Sequence, residues 1–170
     1  YIFFSFASPT FFSQSTLVSV LDYTYYIAFL AFGITFVIIS GGIDLSIGTN
    51  MMMSALLGGF FYAKGLNIWL SLLVVVFIAT AIGLANGLLI ARLQLPPFIA
   101  TLGMMMMTQG LGSIITNVQT QYYPSGFDEN GTYKAIVYKT QGGFPTGLLF
   151  MLAFFLLAYF LLRKTRLGRY

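Results

Sequence analysis

Four carboxylates, Asp22, Asp44, Asp128 and Glu129, are the only acidic side chains in the sequence, and histidine and cysteine are absent. That inventory excludes a thiolate nucleophile, a disulfide framework and a histidine-based metal site. It also leaves few candidates for general acid–base catalysis. One carboxylate stands out by its surroundings. Residues 41–48 read Gly-Gly-Ile-Asp-Leu-Ser-Ile-Gly, which sets Asp44 among turn-forming glycines between two uncharged stretches. A carboxylate at mid-bilayer costs on the order of 3 kcal/mol, so Asp44 must lie at an interface or be paired. Gly41, Gly42, Asp44, Ser46 and Gly48 therefore mark a conformational turn and helix start, at which Asp44 or Ser46 accepts from the free N–H groups of the next turn. One reading is a plain helix cap. The other is a glycine-flexed hinge or gate that shifts as a pathway opens.

Polar side chains within apolar stretches form a second group: Asn50, Asn86, Thr101, Thr108 and Gln109. Amides and hydroxyls in hydrocarbon need partners, which are either a neighbouring helix or a polar cargo. They are candidates for lining a passage, with interhelical hydrogen bonding as the alternative. Ala79, Gly83, Gly87 and Ala91 recur every four residues and form a small-residue face for close helix packing, within a bundle or between subunits. The thioether runs Met51–Met53 and Met104–Met107 suit packing, or an adaptable passage wall.

The elements that position these residues are membrane helices. The chain is 58% hydrophobic and only 7% charged, too little charge to cover a soluble domain of this size. Residues 23–43, 45–63, 65–91, 93–127 and 140–162 carry no charge, and each interval can hold the roughly 20 residues of a spanning helix. The expected helices are 23–40, 47–63, 68–91, 98–116 and 147–162, with 1–6 the end of one more and 7–21 a connector. This is an all-α, polytopic transmembrane bundle with about five complete spanning helices, a single transmembrane domain over 1–170. Pro96-Pro97 punctuates the chain before the fourth helix. The chain starts without a charged leader and stops within a basic run, which reads as a piece of a longer protein.

Orientation follows from the basic residues. If Arg163, Lys164, Arg166 and Arg169 form a cytoplasmic exit, counting back puts Arg92 and the 41–48 turn on the same side, with Lys64, Lys134 and Lys139 outside. Residues 117–146 are then an extracytoplasmic loop. Its Asn130-Gly131 pair suits a tight hairpin, and Asn130-Gly-Thr132 matches a glycosylation acceptor. The net charge of +4 reflects membrane-flanking residues, so nucleic acid is not an expected partner.

Several phrases together resemble the permease subunit of ribose-type sugar importers of the ATP-binding cassette superfamily. They are Gly33-Ile-Thr-Phe-Val-Ile-Ile-Ser-Gly-Gly-Ile-Asp-Leu-Ser-Ile-Gly48, Pro97-Phe-Ile-Ala-Thr-Leu-Gly103 and Thr165-Arg-Leu-Gly-Arg-Tyr170, in the family's order. Phe11-Phe12 with Leu17 and Leu21 resembles the connector before the first complete helix. The resemblance covers essentially the whole chain and about the first half of a full permease. It implies a type II importer bundle in a bacterial or archaeal cytoplasmic membrane, with a second permease subunit, identical or a sister chain. It further implies cytoplasmic ATPase subunits, an extracytoplasmic sugar-binding protein, and ATP hydrolysis on the partner rather than here. No cofactor is expected. The resemblance also makes 41–48 a conformationally important turn. A secondary, ion-coupled transporter also uses glycine-broken helices; that reading and a non-transporting scaffold subunit are the alternatives.

Overall fold

The structure is a computed structural model that describes residues 2–7, 11, 13–123 and 146–165. Every element among the described residues is a helix: α1 Ile2–Ala7, α2 Gln14–Ile39, α3 Ile47–Ala63, α4 Ile68–Ala91, α5 Pro97–Ile115 and α6 Gly147–Lys164. The residues fall into two compact units, Tyr1–Gly33 with Gly131–Tyr170, and Ile34–Asn130.

The second unit holds the end of α2 and all of α3, α4 and α5. Local signals explain its helix ends. Gly41 takes a left-handed φ of 75°, and Gly41 N–H and Gly42 N–H donate to Ile38 O and Val37 O, closing α2 in a Schellman turn. Gly65, at φ 93°, ends α3 in the same way, with Leu66 N–H donating to Phe61 O. Asn67 then starts α4 by accepting from Trp69 N–H at 2.9 Å. Pro97 occupies the first turn of α5, where its missing N–H costs nothing.

Glycine lets these helices approach. A Cβ at Gly58 of α3 would lie 2.3 Å from Val75 Cγ2 of α4 and 2.5 Å from Tyr123 Oη. At Gly112 of α5 a Cβ would meet Leu56 and Met53 of α3 at 3.5–3.6 Å. The interior is polar as well as apolar: Met53, Leu57, Ile68, Ala100 and Met104 are buried beside Ser46, Ser54, Ser71, Asn86, Thr101, Thr108 and Thr116. The outward faces are greasy, with Leu73, Val76, Phe77 and Leu84 of α4 all exposed. That arrangement suits lipid, which does not drive apolar side chains inward as water does.

In the first unit, Phe29 and Phe32 of α2 make ring contacts with Phe154 and Phe155 of α6. Gly147 opens α6 against the Tyr25 ring, and Arg163 and Lys164 lie in its last turn, where they complement the helix dipole.

Among the described residues, four helices are long and apolar enough to cross a membrane: Ser15–Ile39, Ile68–Ala91, Pro97–Ile115 and Gly147–Lys164. α3 has the expected bounds, but its 17 residues rise about 25 Å against a core of about 30 Å. The first complete helix begins at Gln14 rather than at residue 23, so the connector expected over 7–21 is in part helical. Ser13 explains the early start, since its Oγ accepts from Thr16 N–H at 3.2 Å as an N-cap. Asp22 consequently lies within α2, eight residues from its start. The expected hairpin and acceptor sequence at 130–132 fall outside the described residues.

Candidate functional site

The turn from Ser40 to Ser46 joins α2 to α3 and organises the site. After the Schellman turn at Gly41-Gly42, the chain runs without regular structure to Ser46, the residue preceding α3. Ser46 sits in the N-cap position, yet neither its hydroxyl nor Asp44 accepts from the N–H groups of α3. Asp44 instead folds onto the next residues: its Oδ1 accepts from Ser46 N–H at 2.8 Å and from Ser46 Oγ–H at 2.7 Å. This is an Asx turn with a second, side-chain bond. It holds the carboxylate beside the positive end of α3.

A third residue extends the chain of bonds. Asn86 Nδ2 of α4 donates to Ser46 Oγ at 2.8 Å, across 40 residues of sequence. The direction of donation is fixed by Asp44. A carboxylate only accepts, so the single Ser46 hydroxyl proton points to Asp44 and the Ser46 lone pairs face the Asn86 amide. The Asn86 carbonyl Oδ1 is thereby left over. It is buried and accepts no hydrogen bond, in a side chain only 4% exposed. Asp44 Oδ2 likewise accepts no hydrogen bond among the described residues.

Thr101 of α5 completes the junction, donating to Pro97 O at 2.8 Å with Ile43 O at 3.4 Å. A cavity of about 360 Å³ lies here, walled by Gly41 to Asp44 of the turn, Gly83, Asn86 and Gly87 of α4, and Pro97 and Thr101 of α5. The 41–48 turn, the small-residue face of α4 and the start of α5 thus meet around one space.

The other candidates are distributed. Further along α3, Asn50 Nδ2 donates to Ala79 O at 3.2 Å, and Ser54 Oγ donates to Asn50 Oδ1 at 3.2 Å. Thr108 Oγ1 lies 2.9 Å from Thr49 Oγ1 and from Met104 O. Asn50, Asn86, Thr101 and Thr108 therefore all bond to neighbouring protein groups, while Gln109 is exposed on α5. Gly48 is exposed in the first turn of α3. Gly83, Gly87 and Ala91 are exposed, and a Cβ at either glycine would meet nothing within 4 Å. Ala79, of the same series, meets α3 through its carbonyl, which accepts from Asn50 Nδ2, while the tightest approaches run through Gly58, Gly59 and Gly112. The adjacent Gly58-Gly59 pair is the feature of the sequence that marks them. Of the methionines, Met53 and Met104 are interior, and Met51, Met52, Met106 and Met107 face outward.

At the far end of the chain, Arg163 Nη1 donates to Tyr159 Oη and its guanidinium lies 5.5 Å from the Tyr159 ring centroid. Lys164 is exposed beside it, and Arg166 and Arg169 fall outside the described residues. Among the described residues no group of three or more acidic, histidine or cysteine side chains could hold a metal ion.

Comparison with known proteins agrees with a membrane transport role for this architecture. The chain is 33% identical over 168 residues to the ribose import permease of Escherichia coli strain K12, covering 96% of this chain and 50% of that protein. It is 34% identical over 139 residues to a fructose import permease of Bifidobacterium longum, covering 82% of this chain and 39% of the relative. It is 33% identical over 168 residues to an inner membrane ABC transporter permease protein of Escherichia coli strain K12, covering 94% and 48%. The chain thus spans about half the length of the curated relatives it matches. No solved structure gives a significant match. Residues 16–170 match the family described as the permease component of branched-chain amino acid transport systems, and the chain belongs to that family of multi-pass membrane permeases.

Proposed function

We propose that this chain forms part of the permease subunit of an ATP-driven importer that moves a sugar or sugar-like solute across the cytoplasmic membrane. The observation that carries the reading is the junction at 41–48. A broken helix, a bonded carboxylate and an open cavity sit where α2, α3, α4 and α5 converge. Identity to ribose and fructose import permeases over most of the chain supports the same class of cargo. In this reading a binding protein delivers the solute outside, and separate ATPase subunits bind and hydrolyse ATP in the cytoplasm. A second permease subunit encloses the passage, and the chain itself carries out no catalysis.

Under this proposal the basic end of α6 and Arg92 face the cytoplasm, and the 41–44 cavity lies on that side. The 41–48 turn acts as a hinge between α2 and α3.

The test is ATP hydrolysis by the assembled transporter, made with the full-length permease that carries this chain. Hydrolysis that rises when sugar-loaded binding protein is added supports the proposal. Hydrolysis indifferent to every loaded binding protein, or an ATPase that does not assemble with the permease, contradicts it.

A further inference from the structure

We infer that residues 119–123 form a latch over the far end of α3, fastened by Tyr123, and that the ends of α3 and α5 beside it part during transport only when this strap lifts. This rests on the importer reading above and deepens it, because it names the segment that decides when the proposed hinge at 41–48 is free to move.

The strap leaves α5 through a strained turn. Val118 N–H donates to Ser113 O at 2.8 Å and Asn117 N–H to Ile114 O at 3.2 Å, which closes α5 in a Schellman turn. Asn117, at φ 51°, suits the left-handed position of that turn. Val118 does not. It is β-branched, stands at φ 58° and is 82% exposed, so no burial of its side chain offsets the conformation. A residue keeps such a backbone where its surroundings hold it. The Schellman bonds hold one side of Val118, and the contacts of the strap hold the other.

Those contacts fit α3 closely. The three atoms nearest a Cβ at Gly59 all belong to the strap: Gln121 Cβ at 2.8 Å, Tyr123 Cε2 at 3.5 Å and Gln121 C at 3.7 Å. Glycine at 59 is therefore demanded by the strap and not by a neighbouring helix. At Gly58 a Cβ would lie 2.5 Å from Tyr123 Oη. The same hydroxyl donates to Ala55 O at 2.7 Å. Ala55 lies eight residues before the end of α3, so Tyr123 reaches a level about 12 Å below that end.

The attachment is of a kind that opens. Among the described residues no backbone hydrogen bond ties residues 120–122 to a helix. Gln121 Nε2 donates to Gln119 O within the strap itself. Gln119, Thr120 and Tyr122 are exposed. A segment held in this way, without a backbone ladder, belongs to the low-stability end of a fold, from which moving elements are drawn. Its place supplies the consequence. α3 has the 41–48 turn at its start and the strap at its far end, where a swing about that turn is largest. Under the orientation proposed above, this is the outer end.

The experiment uses the full-length permease assembled with its ATPase and binding protein in proteoliposomes. This chain contains no cysteine, so Gly59→Cys with Gln121→Cys, after replacement of any cysteines elsewhere in the permease, places one pair across the contact. A disulfide needs its Cβ atoms about 3.5–4.5 Å apart, which a small outward shift of the exposed strap provides. ATP-driven uptake of labelled D-ribose and D-fructose is measured after oxidation with copper phenanthroline and again after dithiothreitol. The expected result is closure of the pair, loss of uptake in step with the fraction closed, and recovery on reduction. Uptake by the closed form at the rate of its reduced form overturns the latch. So does a pair that fails to close in an assembled complex. Absence of ATP-driven uptake by the parent protein sinks the importer reading instead.

Gln121→Cys alone leaves both glycines in place and covers the case in which Gly59→Cys fails to assemble. In lipid nanodiscs, its rate of modification by a small charged methanethiosulfonate is compared without nucleotide and during turnover with ATP and sugar-loaded binding protein. Modification should run several-fold faster during turnover, as the strap lifts from α3. An equal or slower rate overturns the latch.

Discussion

Replacing Asp44 should loosen the turn between α2 and α3 by an amount that depends on which atoms remain. Asp44 Oδ1 receives two bonds, at 2.8 and 2.7 Å, lengths expected of charge-assisted pairs. Bonds to a charged group contribute about 1.5–3 kcal/mol each, but Asp44 is half-exposed and water takes over part of that role. Asp44→Ala should therefore cost about 2–3 kcal/mol, with the Ser46 N–H left unpaired in a residue only 1% exposed. Asp44→Asn keeps an acceptor in place and loses about half the bond strength, for a cost of about 1–1.5 kcal/mol. Asn86→Leu behaves differently. It removes one bond to Ser46, worth about 1 kcal/mol, and also removes a buried oxygen that lacks a donor, so the net change should be within about 1 kcal/mol of zero. Equilibrium unfolding of the full-length permease in mild detergent reads all three, and a double-mutant cycle between positions 44 and 86 should give a coupling of about 0.5 kcal/mol or more through Ser46. Equal losses for alanine and asparagine at position 44, or no coupling, would refute the relay described above.

Three other expectations follow from single contacts. Gly58→Val should destabilise α3 against α4 by about 2–3 kcal/mol, because even a Cβ at that position lies 2.3 Å from Val75 Cγ2; an unfolding midpoint equal to the parent's would contradict it. Tyr123→Phe removes the 2.7 Å bond from Tyr123 Oη to Ala55 O and should cost about 1 kcal/mol, with faster amide exchange in that turn of α3 as the local sign. Thr108→Val removes the bond to Thr49 between α5 and α3 and should cost only about 0.6 kcal/mol by the same unfolding assay, so a collapse of assembly would show that this contact had been undervalued.

Much of the helical layout was legible because glycine, proline and charge mark its boundaries. α3 and α4 run over the expected residues, where Gly41-Gly42, Gly65 and Asn67 set turns and a cap. α5 begins at Pro97, one residue before expectation, since proline is well placed in a first helical turn. α6 takes in Arg163 and Lys164, which basic side chains at a helix C-terminus readily allow. α2 starts at Gln14 rather than at 23, because one charged residue, Asp22, does not end a helix. Within the site, the sequence singled out Asp44, Ser46 and Asn86 separately. It held no sign that Asn86 donates to Ser46 or that its carbonyl is left without a donor. Contacts across 40 residues, or across the 59 between Thr49 and Thr108, depend on helix rotation, which a pattern of nearly uniform hydrophobicity does not encode. The small residues of α4 illustrate the same limit. Spacing identified their common face, but only the packing distinguishes an open face from the tight approaches at Gly58 and Gly112.

The most direct test of a sugar permease built around the 41–48 junction is initial-rate uptake of labelled D-ribose and D-fructose by proteoliposomes. These contain the full-length permease, its ATPase and its binding protein, energised either by internal ATP or by an imposed proton or sodium gradient. Uptake of at least one sugar that needs ATP and the binding protein and ignores both gradients is the predicted result. Uptake that follows an ion gradient without ATP, or no uptake of either sugar by a fully assembled complex, would contradict it.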